Sequence, residues 1–340
     1  MQKIFVTGGS GFIGSTLIRE LVRSQDVFVL NYDLLTYAGR GDSLREVVGL
    51  ANYRFVQGDV ADESFLYGVL SDFEPDVVFH LAAESHVDRS IDDAKPFLHS
   101  NVYGTFVLLN VLLRYWRRLP RAFSERFRML HISTDEVYGS LGESGIFTEE
   151  TKYAPRNPYS ATKAAADHLV RAWFNTYGLP VLITNCSNNY GPYQYPEKLI
   201  PKTIIAAISN SPITVYGNGE NIRDWLFVED HVNALLRVIS QGQIGETYNV
   251  GGENQLSVIE TVQTICNTLD KKLKKQKNNS CSNLIKFVPN RPGNDFRYAV
   301  DVTKLRQTFG WQQKYNFTDG LEKTIDWYIN NEWWWKPLQI

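Results

Sequence analysis

The sequence has few cysteines and almost no excess of charge. Its 340 residues contain three cysteines, Cys186, Cys266 and Cys281, whose odd number and wide spacing match neither a disulfide framework nor a zinc signature. We therefore expect a reducing, cytoplasmic environment. The six histidines show no ligand spacing, so no metal site is predicted. The formal net charge of −2 gives no electrostatic reason to expect a nucleic-acid or membrane-surface partner.

Long apolar runs are also missing. No run approaches the length of a membrane span, and a strand that starts at Lys3 leaves no room for a signal peptide. Hydrophobic residues make up 43% and charged residues 21% of the chain, which is ordinary globular composition. A chain of this length predicts one large or two moderate domains.

Short apolar runs alternate with amphipathic stretches in the first half of the chain. The apolar runs predict strands over residues 4–6, 27–31, 53–56, 77–80, 127–132 and 181–185. The amphipathic stretches predict helices over residues 15–24, 62–73, 102–116 and 159–175. Alternation at this spacing predicts a parallel sheet that is covered on both faces.

The character of the chain changes after Asn188, where glycine, proline and asparagine become frequent. We expect helices over residues 230–240 and 258–269, a solvated loop over the lysine-rich residues 271–277, and tryptophans 333–335 packed as a terminal helix. The predicted domains are residues 1–188 with a returning segment at about 226–262, and residues 189–225 with 263–340.

A glycine-rich turn follows the first strand directly. Gly8, Gly11 and Gly14 would permit a tight turn and close approach of the backbone to a pyrophosphate, at the N-terminus of the next helix. Several glycines can also mark an ordinary loop, but the position between a strand and a helix favours a dinucleotide site. The predicted fold is α/β: a Rossmann-type doubly wound parallel sheet with a smaller C-terminal α/β substrate domain.

Two acidic residues at strand ends are candidates for the adenosine half of that dinucleotide. Asp33 ends the second strand, about 20 residues after the last glycine, where a carboxylate can bind ribose hydroxyls. A 2′-phosphate at this position would be repelled, so NAD is predicted rather than NADP. Asp59 and Val60 end the third strand beside the adenine, although Gly58-Asp59 also suits a plain turn.

Two further patterns carry chemistry. Tyr159 and Lys163 are four residues apart and share a helix face, where a nearby ammonium and an oxidised nicotinamide would favour the phenolate; a surface pair is the alternative. Asp135 and Glu136 follow the fifth strand, at the edge where open parallel sheets bind ligands. They suit one acid and one base, or a helix N-cap followed by a first-turn acid.

The chain resembles the extended short-chain dehydrogenase/reductase superfamily and, within it, the dTDP-glucose 4,6-dehydratases. The similarity runs nearly the full length and is carried by residues 7–14, 80–90, 134–136, 188–192, 196–201 and 222–225. The Thr134-Asp135-Glu136 triplet is its most specific part, since other extended members, such as epimerases, usually lack the acid pair.

The resemblance implies a lyase reaction with roles for five residues. Tyr159 would take the proton of the sugar 4-hydroxyl while hydride passes to NAD. Lys163 would lower the tyrosine pKa and hold the ribose, and Thr134 would position the 4-oxygen. Glu136 would then take the carbon 5 proton and Asp135 would protonate the departing 6-hydroxyl. The product would be a 4-keto-6-deoxy sugar, with NAD regenerated and retained.

The resemblance also implies binding residues. Cofactor contacts would fall on Gly8, Gly11, Phe12, Ile13, Gly14, Asp33, Asp59, Val60, Leu81, Ala82, Ala83, Ser133, Tyr159, Lys163 and Asn189. Contacts to the nucleoside-diphosphate hexose would fall on Ser85, Thr134, Asn188, Lys198, Leu199, Tyr216, Arg223, Arg291 and Asn294. A homodimer is expected through residues 102–116 and 161–177.

Three alternatives remain open. Asn294 and Phe296 stand where the family usually has histidine and arginine, and asparagine there resembles UDP-glucose 4,6-dehydratases. A nucleotide-sugar 4-epimerase or decarboxylase would use the same fold without needing Asp135 and Glu136. The alternative that is not an enzyme is an inactive NAD-binding regulatory protein.

Overall fold

A parallel sheet of seven strands forms the centre of the protein, in a computed structural model that describes residues 1–290 and 292–338. Twelve strands occur within the described residues: β1 (Gln2–Thr7), β2 (Val27–Asp33), β3 (Tyr53–Gln57), β4 (Val77–His80), β5 (Arg128–Thr134), β6 (Val181–Cys186), β7 (Asn188–Tyr190), β8 (Ile213–Tyr216), β9 (Ile222–Phe227), β10 (Thr247–Val250), β11 (Gln255–Ser257) and β12 (Ile285–Val288). The central sheet has the order β10-β6-β5-β4-β1-β2-β3. The chain winds outward in both directions from β1 and β4, which makes this pair the switch point of a doubly wound sheet.

The helices lie between these strands. In chain order they are α1 (Phe12–Leu21), α2 (Glu63–Phe73), α3 (Val87–Asp92), α4 (Lys95–Phe97), α5 (Thr105–Trp116), α6 (Arg121–Ser124), α7 (Pro158–Tyr177), α8 (Leu199–Ile208), α9 (Val228–Gln241), α10 (Val258–Lys272), α11 (Thr303–Phe309), α12 (Phe317–Asn330) and α13 (Glu332–Trp335). A π-helix over Leu98–Gly104 joins α4 to α5, and Asp135–Tyr138 forms a 3₁₀ turn directly after β5.

Each face of the central sheet carries its own hydrophobic core. One core joins the sheet to α1, α9 and α11, and the other joins it to α2, α5 and α7. Most strands of this sheet are buried, as in β6, where all six residues are buried, whereas the edge strand β3 is partly exposed. The Rossmann-type sheet predicted from the sequence is confirmed.

A third core lies in the C-terminal half. It is built from α8, α10, α12 and α13 around a three-stranded sheet, β11-β9-β7, and a parallel pair, β12-β8. Trp334 and Trp335 are each 1% exposed in this core, whereas Trp333 is 41% exposed. Strand β10 returns to the central sheet beside β6. The division into domains stays a prediction.

Three local expectations differ from the structure. Helix α1 begins at Phe12, three residues before the predicted start, because Gly11 itself serves as the N-cap. Helix α10 runs through Lys272 and so includes the first two residues of the lysine-rich segment. No apolar run of membrane-spanning length was expected from the sequence. The continuous helical stretch Lys95–Trp116 is nevertheless long and apolar enough to span a membrane by length and composition, and half of it is buried in the fold.

Candidate active site

A cavity of about 620 Å³ opens at the carboxyl ends of β1 and β4. This is the edge where the switch point of a doubly wound sheet leaves a crevice. Its lining includes all the residues predicted to contact the cofactor and most of those predicted to contact the substrate. Of the other predicted site residues, Asp135 does not line it and Arg291 lies outside the described residues.

Gly8 and Gly14 in the glycine-rich turn have no room for a side chain. Gly8 has a φ of +71°, and a Cβ there would lie 2.5 Å from the backbone nitrogen of Ala82. A Cβ on Gly14 would lie 2.3 Å from the carbonyl oxygen of Gly8. Gly11 is the N-cap of α1 and has no side chain to occupy the first N–H groups of that helix. These groups can therefore receive an anion such as a pyrophosphate.

Asp33 lies at the end of β2 with its carboxylate held by the backbone. The amide N–H of Ser10 donates to Oδ2 and that of Leu35 donates to Oδ1, each at 2.8 Å. Burial raises the pKa of this carboxyl, and the two backbone donors act against that shift. Each oxygen still has a second lone pair for a ribose hydroxyl. Nearby, Tyr32 donates to the carbonyl of Asp59, and His99 Nε2 lies 3.1 Å from the Asp59 carboxylate.

Tyr159 and Lys163 face the cavity from the first turns of α7. Asn157 caps this helix reciprocally with Ser160, and Pro158 occupies its first turn, which explains why the helix begins directly before the tyrosine. The ammonium of Lys163 donates to the carbonyl oxygen of Ile132 at 2.8 Å. This contact anchors the lysine against β5, beside the strand end that carries Ser133 and Thr134.

Tyr159 is a phenol in the protein alone. Burial raises its pKa well above the ordinary value, the negative charge of Glu136 raises it further, and a hydrogen bond with Thr134 acts in the opposite direction. The nearby ammonium of Lys163 by itself therefore does not produce the Tyr159 phenolate. A second positive charge, as on an oxidised nicotinamide, is needed to favour ionisation.

Thr134, Asp135 and Glu136 form the turn after β5. The Thr134 hydroxyl caps the 3₁₀ turn by accepting the Glu136 N–H at 3.3 Å. Both Thr134 and Glu136 line the cavity together with Tyr159. The Asn157 side-chain amide donates to Glu136 Oε2 at 3.4 Å, so the acid is held near the start of α7. One hydroxyl, one carboxylate and one phenol thus face the same space.

Asp135 lies behind this group. It is 1% exposed, its Oδ1 is 3.3 Å from the Thr134 hydroxyl, and its Oδ2 is buried without a hydrogen-bond partner among the described residues. Burial raises the pKa of its carboxyl well above the ordinary range, and the charges of Glu136 and Asp224 add to the shift. Burial and the two neighbouring charges therefore favour the protonated form of Asp135.

The C-terminal half supplies the other wall. The Oδ1 of Asn188 is buried without a partner among the described residues and lies on the cavity. The ammonium of Lys198 donates to the carbonyl of Ser85 at 2.8 Å and so joins the two halves, with Leu199 next in the chain at the start of α8. Tyr216 ends β8 and is 41% exposed.

Arg223 faces the cavity from β9 and is 8% exposed. One guanidinium nitrogen donates to Asn294 Oδ1 at 3.0 Å, and the group lies 4.6 Å from the centre of the Tyr298 ring. The Asn294 amide donates in turn to Asn290 at 2.8 Å and to Asn221 at 3.3 Å. The residue that departs from the family pattern thus helps to orient this arginine, together with the carbonyl of Ile222.

Several lining residues were not predicted individually. Cys186 ends β6, and the strand-end rule that identified Asp33 could have identified it. Its thiol donates to the Ser133 carbonyl at 3.3 Å, and burial raises its pKa to about 12. Gln194 and Glu197 lie in an irregular loop, and Trp225 in a short strand. No spacing rule marks these three as site residues.

A doubly wound sheet, a glycine-rich turn at its switch point and a Tyr-x-x-x-Lys helix on one cavity together define an extended short-chain dehydrogenase/reductase. Within that class, the chain belongs to the GDP-mannose 4,6 dehydratase family, whose model matches residues 5–324.

Relatives within the family are similar over nearly the whole chain. A dTDP-glucose 4,6-dehydratase of Neisseria meningitidis is 52% identical and covers 99% of this chain, which covers 96% of that protein. The Bacillus anthracis dTDP-glucose 4,6-dehydratase, crystallised with NAD, is 40% identical, with a TM-score of 0.88 and full coverage of both chains. The Streptomyces venezuelae enzyme, crystallised with NAD and dTDP, is 38% identical, with a TM-score of 0.91 and coverage of 99% of this chain and 100% of the other.

Proposed function

We propose that this protein is an NAD-dependent dTDP-glucose 4,6-dehydratase, a hydro-lyase that forms dTDP-4-keto-6-deoxyglucose and water. The observation that carries the proposal is the position of Thr134, Glu136 and Tyr159 on the cavity that the glycine-rich turn also lines. The dehydratases similar to it over their full length, with NAD and dTDP bound in one of them, support the same assignment.

The residues present fit NAD. Gly8 and Gly14 allow the tight turn, since a Cβ on either would meet the backbone, and Gly11 leaves the N-terminus of α1 without a side-chain cap, so its backbone N–H groups can donate to the pyrophosphate. Asp33 would accept the adenosine ribose hydroxyls and disfavour a 2′-phosphate. The chemistry that NAD supplies when bound is acceptance of a hydride from the sugar and its later return.

Tyr159 and Lys163 serve the first half-reaction in this proposal. Tyr159 removes the proton of the 4-hydroxyl, and Thr134 holds the 4-oxygen. Lys163 stays charged against the Ile132 carbonyl and holds the nicotinamide ribose. Because burial and Glu136 keep the free tyrosine protonated, the base becomes competent only beside a positive cofactor.

The two acids serve the elimination. Glu136 takes the carbon 5 proton, because it is the acid that lines the cavity. Asp135 gives its proton to the departing 6-hydroxyl, which agrees with the raised pKa of its buried carboxyl. This role requires the Asp135 side chain to turn toward the cavity when substrate binds.

The nucleoside-diphosphate part binds to the C-terminal half. Arg223 and Arg291 hold the diphosphate, and Lys198, Leu199 and Tyr216 approach the nucleotide. On the sugar side, Ser85 and Asn188 contact the hexose. The buried oxygen of Asn188 has no partner among the described residues, which supports a polar ligand there, since such an atom is costly without a partner.

The test is product mass after incubation with dTDP-glucose. We expect the loss of one water and no change in total NAD. A product of unchanged mass would replace the dehydratase with an epimerase, and no product from any nucleotide sugar would leave an NAD-binding protein without this activity.

UDP-glucose should also react, at a lower rate, since one methyl of the base is worth only about 1–3 kcal/mol. A clear preference for UDP-glucose would overturn the thymidine assignment.

The assembly in this proposal is a homodimer through the exposed side of the Lys95–Trp116 stretch and α7. Leu98, Tyr103, Phe106 and Tyr177 are 52%, 50%, 37% and 42% exposed there, and form an apolar face that a second copy would cover. Light scattering should give twice the chain mass, and Tyr103→Glu should give a monomer. We propose a cytoplasmic location, which the three free, buried cysteines support.

A further inference from the structure

A buried polar network lies behind the strand that carries the reactive turn. Its centre is Asp167, on α7 one turn beyond Lys163, with a side chain that is 0% exposed. A buried carboxylate is costly unless several groups pair with it. The proposed mechanism gives Asp167 no role, so the groups around it are informative.

Donors from β5 and from the loop before α7 surround Asp167. Its Oδ2 accepts from the Ser133 hydroxyl at 2.9 Å and from the Tyr153 hydroxyl at 2.8 Å. Its Oδ1 lies 3.1 Å from Nε2 of His131 on β5. Tyr153 is held in turn by Arg171, which donates to its oxygen at 2.7 Å. Since Ser133 lines the cavity, one hydrogen bond separates Asp167 from the site.

Asp167 and Lys163 are four residues apart on α7, so they lie on the same face of the helix. Its titratable neighbours are His80, His131, Cys186 and Asp167. Burial lowers the pKa of both histidines below their usual value, to about 4 for His131, so neither is charged at pH 7. The thiol of Cys186 is also neutral there, because its pKa is raised to about 12. Asp167 is therefore the negative charge among these neighbours.

We infer that Asp167 is a positioning residue that keeps Lys163 charged and fixes Ser133 at the wall of the cofactor cavity. The inference rests on the proposed function and extends it to a residue that touches neither cofactor nor substrate. Asp167 acts through the lysine by charge and through the serine by the hydrogen bond at 2.9 Å.

The opposing shifts agree with this arrangement. Burial would raise the pKa of Asp167, yet His131, Lys163 and Arg171 together bring it below the ordinary value. Burial lowers the pKa of Lys163, and Asp167 is the strongest influence in the other direction. Removal of the Asp167 charge should therefore let Lys163 lose its proton at a lower pH.

The test is the pH profile of kcat for Asp167→Asn, which keeps the shape and removes the charge. The alkaline limb, where Lys163 loses its proton, should move down by about 1–3 pH units. A merely structural role would lower kcat equally at every pH, and a limb that stays in place overturns the inference. Wild-type product formation in the same assay tests the proposed function separately.

Two further variants keep the result interpretable. Tyr153→Phe removes one hydrogen bond from the same carboxylate and leaves the charge, so the alkaline limb of its pH profile should move much less than that of Asp167→Asn. A shift as large as that of Asp167→Asn would contradict the role of charge. If Asp167→Asn does not fold, the comparison is made in an Arg171→Met background, which removes one partly buried cation near the carboxylate. The alkaline limb of the double variant should then lie at a lower pH than the alkaline limb of Arg171→Met alone. Alkaline limbs at the same pH would overturn the inference.

Discussion

Tyr37 and Glu197 are 160 residues apart in sequence, yet the tyrosine hydroxyl donates to Glu197 Oε1 at 3.1 Å. The Tyr37 ring also lies 3.7 Å from the Arg89 guanidinium and packs edge-on against Tyr195 at 5.4 Å. Tyr37 belongs to the loop after β2, and Glu197 to the loop before α8. Both loops line the cavity, so this contact joins its two walls.

Tyr37→Phe should therefore weaken the retention of NAD. The variant keeps the ring contacts and loses one hydrogen bond to a carboxylate, worth about 1 kcal/mol in a partly exposed position. That corresponds to a roughly fivefold rise in the NAD dissociation constant, measurable by titration of the cofactor-free enzyme. Tyr67→Phe, on the remote helix α2, is the matched control. Equal NAD binding by Tyr37→Phe and wild type would show that the contact does not hold the walls together.

Glu136→Gln should separate the two half-reactions. Oxidation at carbon 4 depends on Tyr159, whereas elimination depends on removal of the carbon 5 proton. On rapid mixing with dTDP-glucose, absorbance of enzyme-bound NADH should appear while product formation becomes slow, by about 10²–10⁴-fold. Tyr159→Phe should give neither signal. Folded Glu136→Gln that also forms no NADH, or that turns over near the wild-type rate, would mean that Glu136 serves another step.

Asn294→Ala should raise the KM for the nucleotide sugar with little change in kcat. The amide accepts from Arg223 at 3.0 Å, and a neutral or charged hydrogen bond of this kind is worth about 1–2 kcal/mol. KM should therefore rise by roughly 5- to 30-fold. Asn294→His, the residue usual in the family, should recover much of the loss. A kcat that falls with an unchanged KM would remove Asn294 from diphosphate binding.

His231 should make the protein less stable in acid. It is fully buried with its Nδ1 2.8 Å from Asn189 Oδ1, and burial lowers its pKa to about 3. Between pH 6.5 and 3 the unfolded chain binds a proton here and the folded chain does not, so stability falls as the pH falls through this window. From pH 7 to pH 5 this one group removes about 2 kcal/mol.

His231→Gln isolates that contribution from the other titrating groups. The substitution should destabilise the protein at pH 7, because a buried contact is lost. At pH 5 the destabilisation should be smaller by about 2 kcal/mol, since the variant no longer has the protonation penalty. Urea unfolding at the two pH values measures both differences. The same destabilisation at pH 7 and pH 5 would show that His231 titrates alike in the two states.

The sequence predicts the sheet well because most of its strands contain apolar runs that are buried in the fold. Strands β1 to β6 fall within two residues of the predicted bounds, and most of the errors lie at carboxyl ends, where polar residues such as Asp33 and Thr134 continue the strand. Those polar ends are also the ones on the cavity. Ligands bind at the carboxyl ends of parallel strands, where polar residues are needed, so the apolar patterns that predict the strands end before the site.

What the sequence could not predict depends on contacts between distant segments. Asp135 is buried and does not line the cavity, whereas Glu136 does, and this difference depends on how β5 packs. No local pattern in the sequence distinguishes the two acids. Strand β10 (Thr247–Val250) has no apolar run like that of β4, which is equally short, and it pairs with β6 across about sixty intervening residues. The contact between Tyr37 and Glu197 likewise joins two irregular loops.

The place of β10 at the edge of the sheet has a consequence for synthesis of the chain. When residues 1–186 have left the ribosome, six strands can pair, but β6 remains an open edge with all six of its residues apolar or destined for burial. Its partner, Thr247–Val250, emerges only after β7, β8 and β9 and the helices between them. During that interval the nascent chain exposes a strand that other chains can join. A truncation before Thr247 would make this exposure permanent, and such a fragment should aggregate.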